Sequence, residues 1–290
     1  MPKFKFSRTD NQCVAHSIIT RNVYTLILLF SAFAANGSGA VQVQYLQDSS
    51  DSEDIFVDLA TALSKNASLF AGMGNTRAPA SDDLDLDYWN IGFGYRFSPS
   101  FDIELEVGNF GQGREINTDS IDAQLRWSSA NWSFSLKPQF DQIELLVSFN
   151  NISRIRSIDS TGLGISISYY GMENWEYSLS YDTYDYSTDP RVLSLPIVVA
   201  RVSSKALTVT SGLKDNIMAA DITYLFPKSD VTIAYARSTS AIDQSTSNIT
   251  SIATSFYHFL PYRFGLEAGS VGSDIDTASY YAGITAGYTW

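Results

Sequence analysis

Acidic side chains recur at every second position in parts of the 290-residue chain. Asp102, Glu104 and Glu106 are the clearest case, because apolar residues occupy the positions between them. Successive side chains of an extended strand point to opposite faces, so these three carboxylates would share one face. A row of carboxylates attracts cations, as rings of Asp and Glu do in cation channels. The chemistry indicated is therefore electrostatic selection of ions or solutes.

Residues for catalysis or metal binding are scarce. A surface lipid hydrolase would need a Ser nucleophile, a His base and an orienting Asn, Asp or Glu. His258 is the one histidine beyond the first 40 residues, and no Ser/His motif surrounds it. The single cysteine, Cys13, allows neither an internal disulfide nor a zinc cluster. We therefore predict no enzyme activity, no metal site and no cofactor.

Composition excludes several classes of protein. The net charge of -12 argues against a nucleic-acid partner, because proteins that bind nucleic acid are basic. Charged residues make up 17% of the chain and aromatic residues 13%, while the mean hydropathy is -0.06. A helical membrane protein would need several apolar runs of about 20 residues, and residues 41–290 contain none.

Residues 1–40 are typical of a secretory signal peptide. Lys3, Lys5, Arg8 and Arg21 provide a basic region, and an apolar run follows from residue 23 to residue 35. Small residues then suggest cleavage after Ala34 or after Ala40. Residues 41–290 would form the mature protein.

Period-two alternation is the dominant pattern of the mature chain, and it predicts β-strands with one apolar face. The last strand, for example, places Tyr280, Ile284, Tyr288 and Trp290 on one face. Sixteen such segments can be marked, including 191–201 and 205–213, although losing one hairpin would give fourteen. Lys137-Pro138 lies inside a segment and suggests a bulge or an early strand end there.

Short turns and longer polar segments mostly alternate between these strands. The longer segments are 75–86, 112–118, 141–160, 239–248 and 270–278. Large aromatic residues flank the short turns, as Trp127 and Trp132 do. A second aromatic group suits the opposite ends: Tyr88, Trp89, Phe110, Tyr184, Tyr186 and Tyr280. Two aromatic girdles are typical of barrels that span a membrane.

The leader, the alternating segments and the ending Tyr288-Thr289-Trp290 together resemble a Gram-negative outer-membrane β-barrel, porin-like in kind. The resemblance implies an all-β fold, a transmembrane antiparallel up-and-down barrel of about 16 strands, with 14 possible. It also implies the bacterial outer membrane, contact with lipid and lipopolysaccharide, and recognition of Tyr288 and Trp290 by the barrel-assembly machinery. A homo-oligomer is possible.

If the apolar face meets lipid, the other face lines the lumen. Nine acids and four bases would then point inward. These predicted pore-lining residues are Asp58, Arg96, Asp102, Glu104, Glu106, Asp122, Arg126, Lys137, Glu176, Asp182, Asp221, Arg263 and Glu267. They predict a wet interior that prefers cations, although the charges could instead pair along the wall.

The interpretation that follows is a porin-like channel for passive diffusion of small hydrophilic solutes or ions. By analogy with porins, the 141–160 segment could fold inward as a constriction loop carrying Arg154 and Arg156. A plain surface loop is the other possibility for that segment. The alternative functions are a structural or surface barrel without transport, serving adhesion or envelope integrity, and, third, a surface lipid hydrolase.

Overall fold

The fold is described from a computed structural model of the chain. The described residues are 38–49, 52–78, 84–112, 116–149, 152–190, 213–257, 261–274 and 278–290. The predicted signal peptide therefore lies outside them, except for its last three residues. Among the described residues, no helix has the length and hydropathy that crossing a bilayer requires.

Fourteen antiparallel strands close into a barrel in which each strand pairs with its neighbours along the chain. They are β1 (Gly39–Asp48), β2 (Glu53–Ala62), β3 (Ala67–Ala78), β4 (Leu84–Ser98), β5 (Phe101–Gln112), β6 (Ile116–Ser128), β7 (Trp132–Phe149), β8 (Ile152–Met172), β9 (Trp175–Tyr186), β10 (Lys214–Phe226), β11 (Ser229–Ser240), β12 (Thr246–Phe256), β13 (Tyr262–Ser273) and β14 (Ser279–Thr289). The predicted all-β, up-and-down barrel is confirmed.

Pairing between β1 and β14 closes the ring. The register runs from Ala40 opposite Thr289 to Asp48 opposite Tyr281. At the end of the chain, Gly39 N–H donates to the Trp290 carbonyl at 3.1 Å, and Trp290 N–H donates to the Gly39 carbonyl at 3.0 Å. Of the two predicted cleavage positions, the one after Ala34 leaves β1 complete.

The strand count is fourteen, the lower of the two predicted values. Strand β9 pairs directly with β10, with Asn216 opposite Thr183. The two segments predicted at 191–201 and 205–213 lie outside the described residues, apart from Leu213, and the ring closes between their neighbours. The described ring therefore has the fourteen strands that the sequence analysis allowed for the loss of one hairpin.

The predicted loop at 141–160 was also wrong. Strands β7 and β8 remain paired from Trp132 opposite Tyr169 up to Phe149 opposite Ile152, which makes this the longest hairpin of the described barrel. Arg154 and Arg156 are strand residues of β8, opposite Val147 and Leu145, so neither lies on a constriction loop. The polar composition of the segment masked a continued alternation in which the apolar residues change sides.

Pro138 neither ends β7 nor introduces a bulge. Pairing with β8 continues through Lys137, Pro138 and Gln139 in one register. On the β6 side the ladder lacks pairs between Asp122–Gln139 and Leu125–Leu136, the level of Pro138. Because proline has no N–H, it removes a ladder hydrogen bond without shifting the register.

The outer surface carries the apolar face of every strand and a belt of aromatic rings at the short-turn end. Among the exposed rings there are Phe97, Phe101, Trp127, Trp132, Tyr170, Trp175, Phe226, Phe256 and Tyr262. Neighbouring rings are in contact: the Trp175 and Tyr224 centroids are 4.7 Å apart and those of Tyr262 and Tyr288 are 5.3 Å apart. This belt confirms the predicted girdle at that end.

The second predicted girdle is only partly correct. Trp89 and Tyr280 are exposed on the outer face. Phe110 is buried and Tyr88, Tyr184 and Tyr186 are half-buried, and the strand register places these four on the inner face. Aromatic character alone could not distinguish the two faces, because the strands carry apolar residues on both faces near the loop end, the end of the barrel opposite the short turns.

Several inward glycines lie beneath side chains of the neighbouring strand. A Cβ on Gly92 would meet the Phe70 ring, and one on Gly283 would meet the Leu46 side chain. A side chain of the neighbouring strand therefore occupies the space above each of these two glycines, which is a known way to compensate for glycine in a sheet.

We therefore expect Gly92→Ala to destabilise the barrel by about 1–3 kcal/mol, because the added methyl group overlaps the Phe70 ring. Gly272→Ala is the matched control, since a Cβ there meets nothing within 4 Å. The measurement is the urea midpoint of unfolding in lipid vesicles. Equal urea midpoints for the two variants would show that the Phe70 ring can move aside for the added methyl group without loss of stability.

Candidate functional site: the lumen

The strand register places all thirteen predicted pore-lining residues on one face of the barrel wall. Asp102, for example, lies between Arg96 on β4 and Arg126 on β6, and Glu106 lies opposite Asp122. The opposite face carries the exposed apolar side chains, such as Leu105 and Val107. The thirteen residues therefore face the interior.

Two cavities lie along this inner face. The larger has a volume of about 740 Å³ and the smaller, near the short-turn end, about 180 Å³. Six predicted residues line the larger cavity: Asp58, Glu106, Asp122, Lys137, Asp182 and Glu267. Four line the smaller one: Arg96, Asp102, Glu104 and Arg126. Glu176, Asp221 and Arg263 share the face but line neither cavity.

Some of these charges pair along the wall. Arg126 lies 3.7 Å from Asp102 and 3.5 Å from Glu104, and Lys137 lies 3.2 Å from Asp122. The side chains are partly exposed, so each pair contributes at most about 1 kcal/mol to stability. Part of the inward charge is therefore paired along the wall, which is the alternative that the sequence left open.

Arg263 is held differently. Its Nη2 donates to Ser255 Oγ and to Tyr257 Oη, each at 3.2 Å, and the guanidinium lies 4.8 Å from the centre of the Tyr257 ring. These contacts fix the guanidinium near the short-turn end. They leave it without a carboxylate partner among the described residues.

Sequence reasoning missed three charged residues of the larger cavity. Asp54 is completely buried, Lys214 is 5% exposed, and Asp141 lies on β7 opposite Ser160. Asp54 carried a usable signal, because Asp54, Phe56 and Asp58 alternate with apolar residues along β2. Lys214 carried none, since it begins β10 directly after residues outside the described part of the chain.

Apolar side chains fill the inner face near the loop end. This loop-end cluster consists of Leu86, Phe110, Ile116, Ile143, Leu145, Ile158 and Leu213. The register places its strand members inward, with Ile116 opposite Leu145 and Ile143 opposite Ile158. The cluster explains why the apolar residues of β7 change sides after Phe140.

The remaining candidates are the aromatic end of the chain, His258 and a metal site. Tyr288 pairs with Val41 and Tyr262 on the outer face, and its ring stacks on Trp290 at 6.2 Å. His258 lies outside the described residues. Within the described ranges, no three His, Cys, Asp or Glu side chains are grouped to hold a metal ion.

Comparison with known proteins identifies similar barrels but no relatives by sequence. No family model and no curated protein matches the chain. A loop L8 deletion mutant of OmpT, an outer membrane protein of Vibrio cholerae, is 8% identical, with 88% of this chain and 97% of that chain covered and a TM-score of 0.48. OprD, an outer membrane protein of Pseudomonas aeruginosa, is also 8% identical, with 88% and 93% covered and a TM-score of 0.46. At these values the similarity transfers neither a substrate nor a residue role.

The location follows from the barrel itself. A closed antiparallel barrel satisfies its backbone hydrogen bonds internally, and this one presents an apolar outer wall with an aromatic belt. Such a surface is stable in hydrocarbon and would aggregate in water. The protein is an outer-membrane β-barrel.

The loop-end cluster should contribute measurably to stability. Leu145 is completely buried, so Leu145→Ala would leave a cavity and cost about 2–5 kcal/mol. Leu145→Met keeps the volume and should cost less than about 1.5 kcal/mol. Chemical unfolding in lipid vesicles measures both values, and a small loss for Leu145→Ala would mean that the cluster is loosely packed.

Proposed function

We propose that the protein is a porin-like channel through which small hydrophilic solutes or ions diffuse, with a preference for cations. The observation that carries this proposal is the cavity of about 740 Å³ on the inner face of a fourteen-stranded barrel. Barrels of about eight strands are filled by side chains, whereas larger ones enclose cavities or channels.

The charge of this cavity supports the preference for cations. Seven carboxylates and two ammonium groups line it among the described residues. The carboxylates belong to Asp54, Asp58, Glu106, Asp122, Asp141, Asp182 and Glu267, and the ammonium groups to Lys137 and Lys214. An excess of negative charge in a narrow, low-dielectric enclosure raises the local concentration of cations.

The charges are also distributed unevenly around the wall. Strands β4 to β9 carry most of them, while β11 and β12 present small neutral residues inward. Thr232, Ala234 and Ala236 on β11, for instance, lie opposite Ala253, Ser251 and Ile249 on β12. A solute in the lumen would therefore contact a charged wall on one side and a largely uncharged wall on the other.

The direct test is single-channel recording of the refolded protein in a planar bilayer under a salt gradient. We expect stable ohmic current steps and a reversal potential of the sign that indicates cation selectivity. A reversal potential for anions would contradict the cation preference. A correctly folded but silent barrel would contradict the channel.

Neutralising one lumen acid should weaken the selectivity. We expect Glu106→Gln to lower the cation-to-anion permeability ratio by about twofold, because one unit charge in a water-filled lumen is worth less than about 1 kcal/mol. Glu144→Gln is the matched control, since Glu144 is exposed on the outer face of β7. An equal change in both variants would assign the selectivity to overall charge rather than to the cavity.

The loop-end cluster favours a second candidate, a structural or surface barrel without transport. Its apolar side chains occupy inward positions where an open pore would be lined by polar groups. The same recording separates the two functions, because this candidate predicts a folded, silent barrel. We propose no catalytic activity and no cofactor for either.

We also propose that Tyr288 and Trp290 form the signal for the barrel-assembly machinery, and that the outer wall contacts membrane lipid and lipopolysaccharide. Support comes from the outward, stacked rings at the end of the closing strand. The barrel could also form a homo-oligomer through this wall.

Trp290→Ala should therefore lower the amount of folded barrel in cells several-fold while leaving refolding of the purified chain in detergent nearly unchanged. A signal acts only where the machinery is present, whereas a packing defect acts in both settings. Quantitative gel mobility of heated and unheated samples measures folded protein in each. Equal losses in both settings would assign Trp290 to barrel closure alone.

A further inference from the structure

The acid at the loop end of β2 lacks a partner. Asp54 is completely buried, lines the larger cavity, and neither of its carboxylate oxygens makes a hydrogen bond with the described residues. Its neighbours across the ladder are Leu46 on β1 and the hydroxyl residue Thr76 on β3. Burying a carboxylate with no base beside it is costly, and a cation in the adjoining cavity would offset part of that cost.

Two further acceptors lie on the same inner face, at the level of Gly72 on β3. Asp58 Oδ1 and Asn90 Oδ1 lie 2.8 and 2.6 Å from the point where a Cβ would stand on Gly72. Asn90 Nδ2 donates to Glu106 Oε1 at 2.9 Å, while Asn90 Oδ1 has no hydrogen-bond partner among the described residues. Four oxygen-bearing side chains of β2, β4 and β5 thus present acceptors to one side of the cavity.

The lysines belong to the other side of the cavity. Lys137 on β7 pairs with Asp122 at 3.2 Å, and a Cβ on the intervening Gly164 would meet both Lys137 and Asp182. Lys214 on β10 interacts electrostatically with Asp182 and Asp141. On this side of the cavity two lysines therefore face the three acids Asp122, Asp141 and Asp182. Asp54 and Asp58 have no base beside them among the described residues, and Glu106 has only Lys137, which is already paired with Asp122.

Aromatic and apolar groups surround the unbalanced acids. Phe56 lies between Asp54 and Asp58 on the inner face of β2, and its ring meets the Tyr88 ring edge to face at 6.3 Å. Leu46 lines the same cavity, and the loop-end cluster begins at Leu86 on the strand beyond β3. Aromatic faces attract organic cations, and the apolar groups would accept a hydrocarbon body.

We infer that this side of the lumen binds small organic ammonium ions that carry an apolar body. Asp58 and Glu106 would receive the ammonium hydrogens, and Phe56, Tyr88 and Leu46 would pack against the hydrocarbon. The negative charge of Asp54, on the far side of Phe56 along β2, would add to the attraction. The inference rests on the proposed channel function, because it names the class of solute that the lumen admits. The volume of about 740 Å³ lies within the range of small-molecule sites.

The test is calorimetric titration of the folded barrel in detergent micelles with phenethylammonium chloride. Sodium 3-phenylpropionate carries the same apolar body with the opposite charge, and methylammonium chloride carries the ammonium group alone. We expect saturable binding of phenethylammonium, at least about tenfold weaker binding of methylammonium, and no saturable binding of the carboxylate. Titration into protein-free micelles corrects for partitioning.

Variants locate the site. Asp58→Asn should weaken phenethylammonium binding by about tenfold or more, the loss expected for a hydrogen bond to a charged group, and Asp54→Asn should weaken it by less, because Asp54 acts through its charge alone. Asp221→Asn is the matched control, because Asp221 faces inward on β10 but does not line the cavity, and its affinity should stay within about twofold. Gel mobility of unheated samples verifies that each variant is folded.

The outcomes separate this inference from the channel itself. Equal binding of the carboxylate analogue, unchanged affinity in Asp54→Asn and Asp58→Asn, or an equal loss in Asp221→Asn would overturn the ammonium site. Because calorimetry needs no current, a conducting barrel that fails to bind refutes the site alone. A silent barrel that binds as expected refutes the channel alone.

Discussion

Hydrocarbon offers no hydrogen-bond partner, so every backbone N–H and C=O inside the membrane must pair within the protein. This constraint requires β14 to return to β1, where Gly39 and Trp290 exchange backbone hydrogen bonds. Once the ring is closed, each strand has one face toward lipid and one toward the lumen. The apolar outer wall, the aromatic belt and the inward charges are consequences of that division, because each side chain is selected for the medium that its face meets.

The two faces do not stay constant in character along a strand. On β7, Phe134, Leu136 and Phe140 face outward, whereas Ile143 and Leu145 face inward without any change of register. The lumen therefore changes along its axis, from charged near the short-turn end to mainly apolar with a few buried charges near the loop end. When the polar and apolar faces exchange within one continuous strand, the sequence pattern looks like that of a strand that has ended. The loop at 141–160 was wrongly predicted for this reason.

Alternation and aromatic placement were sufficient to predict the barrel and the inward face of all thirteen charged residues, because both depend on the period of two that a strand imposes. They were insufficient for the strand count, since the segment 191–201 shows the same alternation and yet lies outside the fourteen described strands. Asp54 and Lys214 show the limit for the site. Their burial depends on which strands curve together around the cavity, and strand pairing across the ring is not encoded in local periodicity.

The lumen charges differ in what they can do because some are already neutralised. The electric field of a carboxylate beside a lysine, as Asp122 is beside Lys137, is largely compensated by the opposite charge, and the ion pair stiffens the wall. A buried carboxylate with no base beside it, as Asp54 is among the described residues, keeps its field, so it attracts a cation into the adjoining cavity. Selectivity in such a lumen depends less on the total number of acids than on how many lack a base within reach. The two lysines lie on β7 and β10, whereas the acids of β2 have no base beside them among the described residues. This division gives the barrel a preferred side for a cation, next to the aromatic pair of Phe56 and Tyr88.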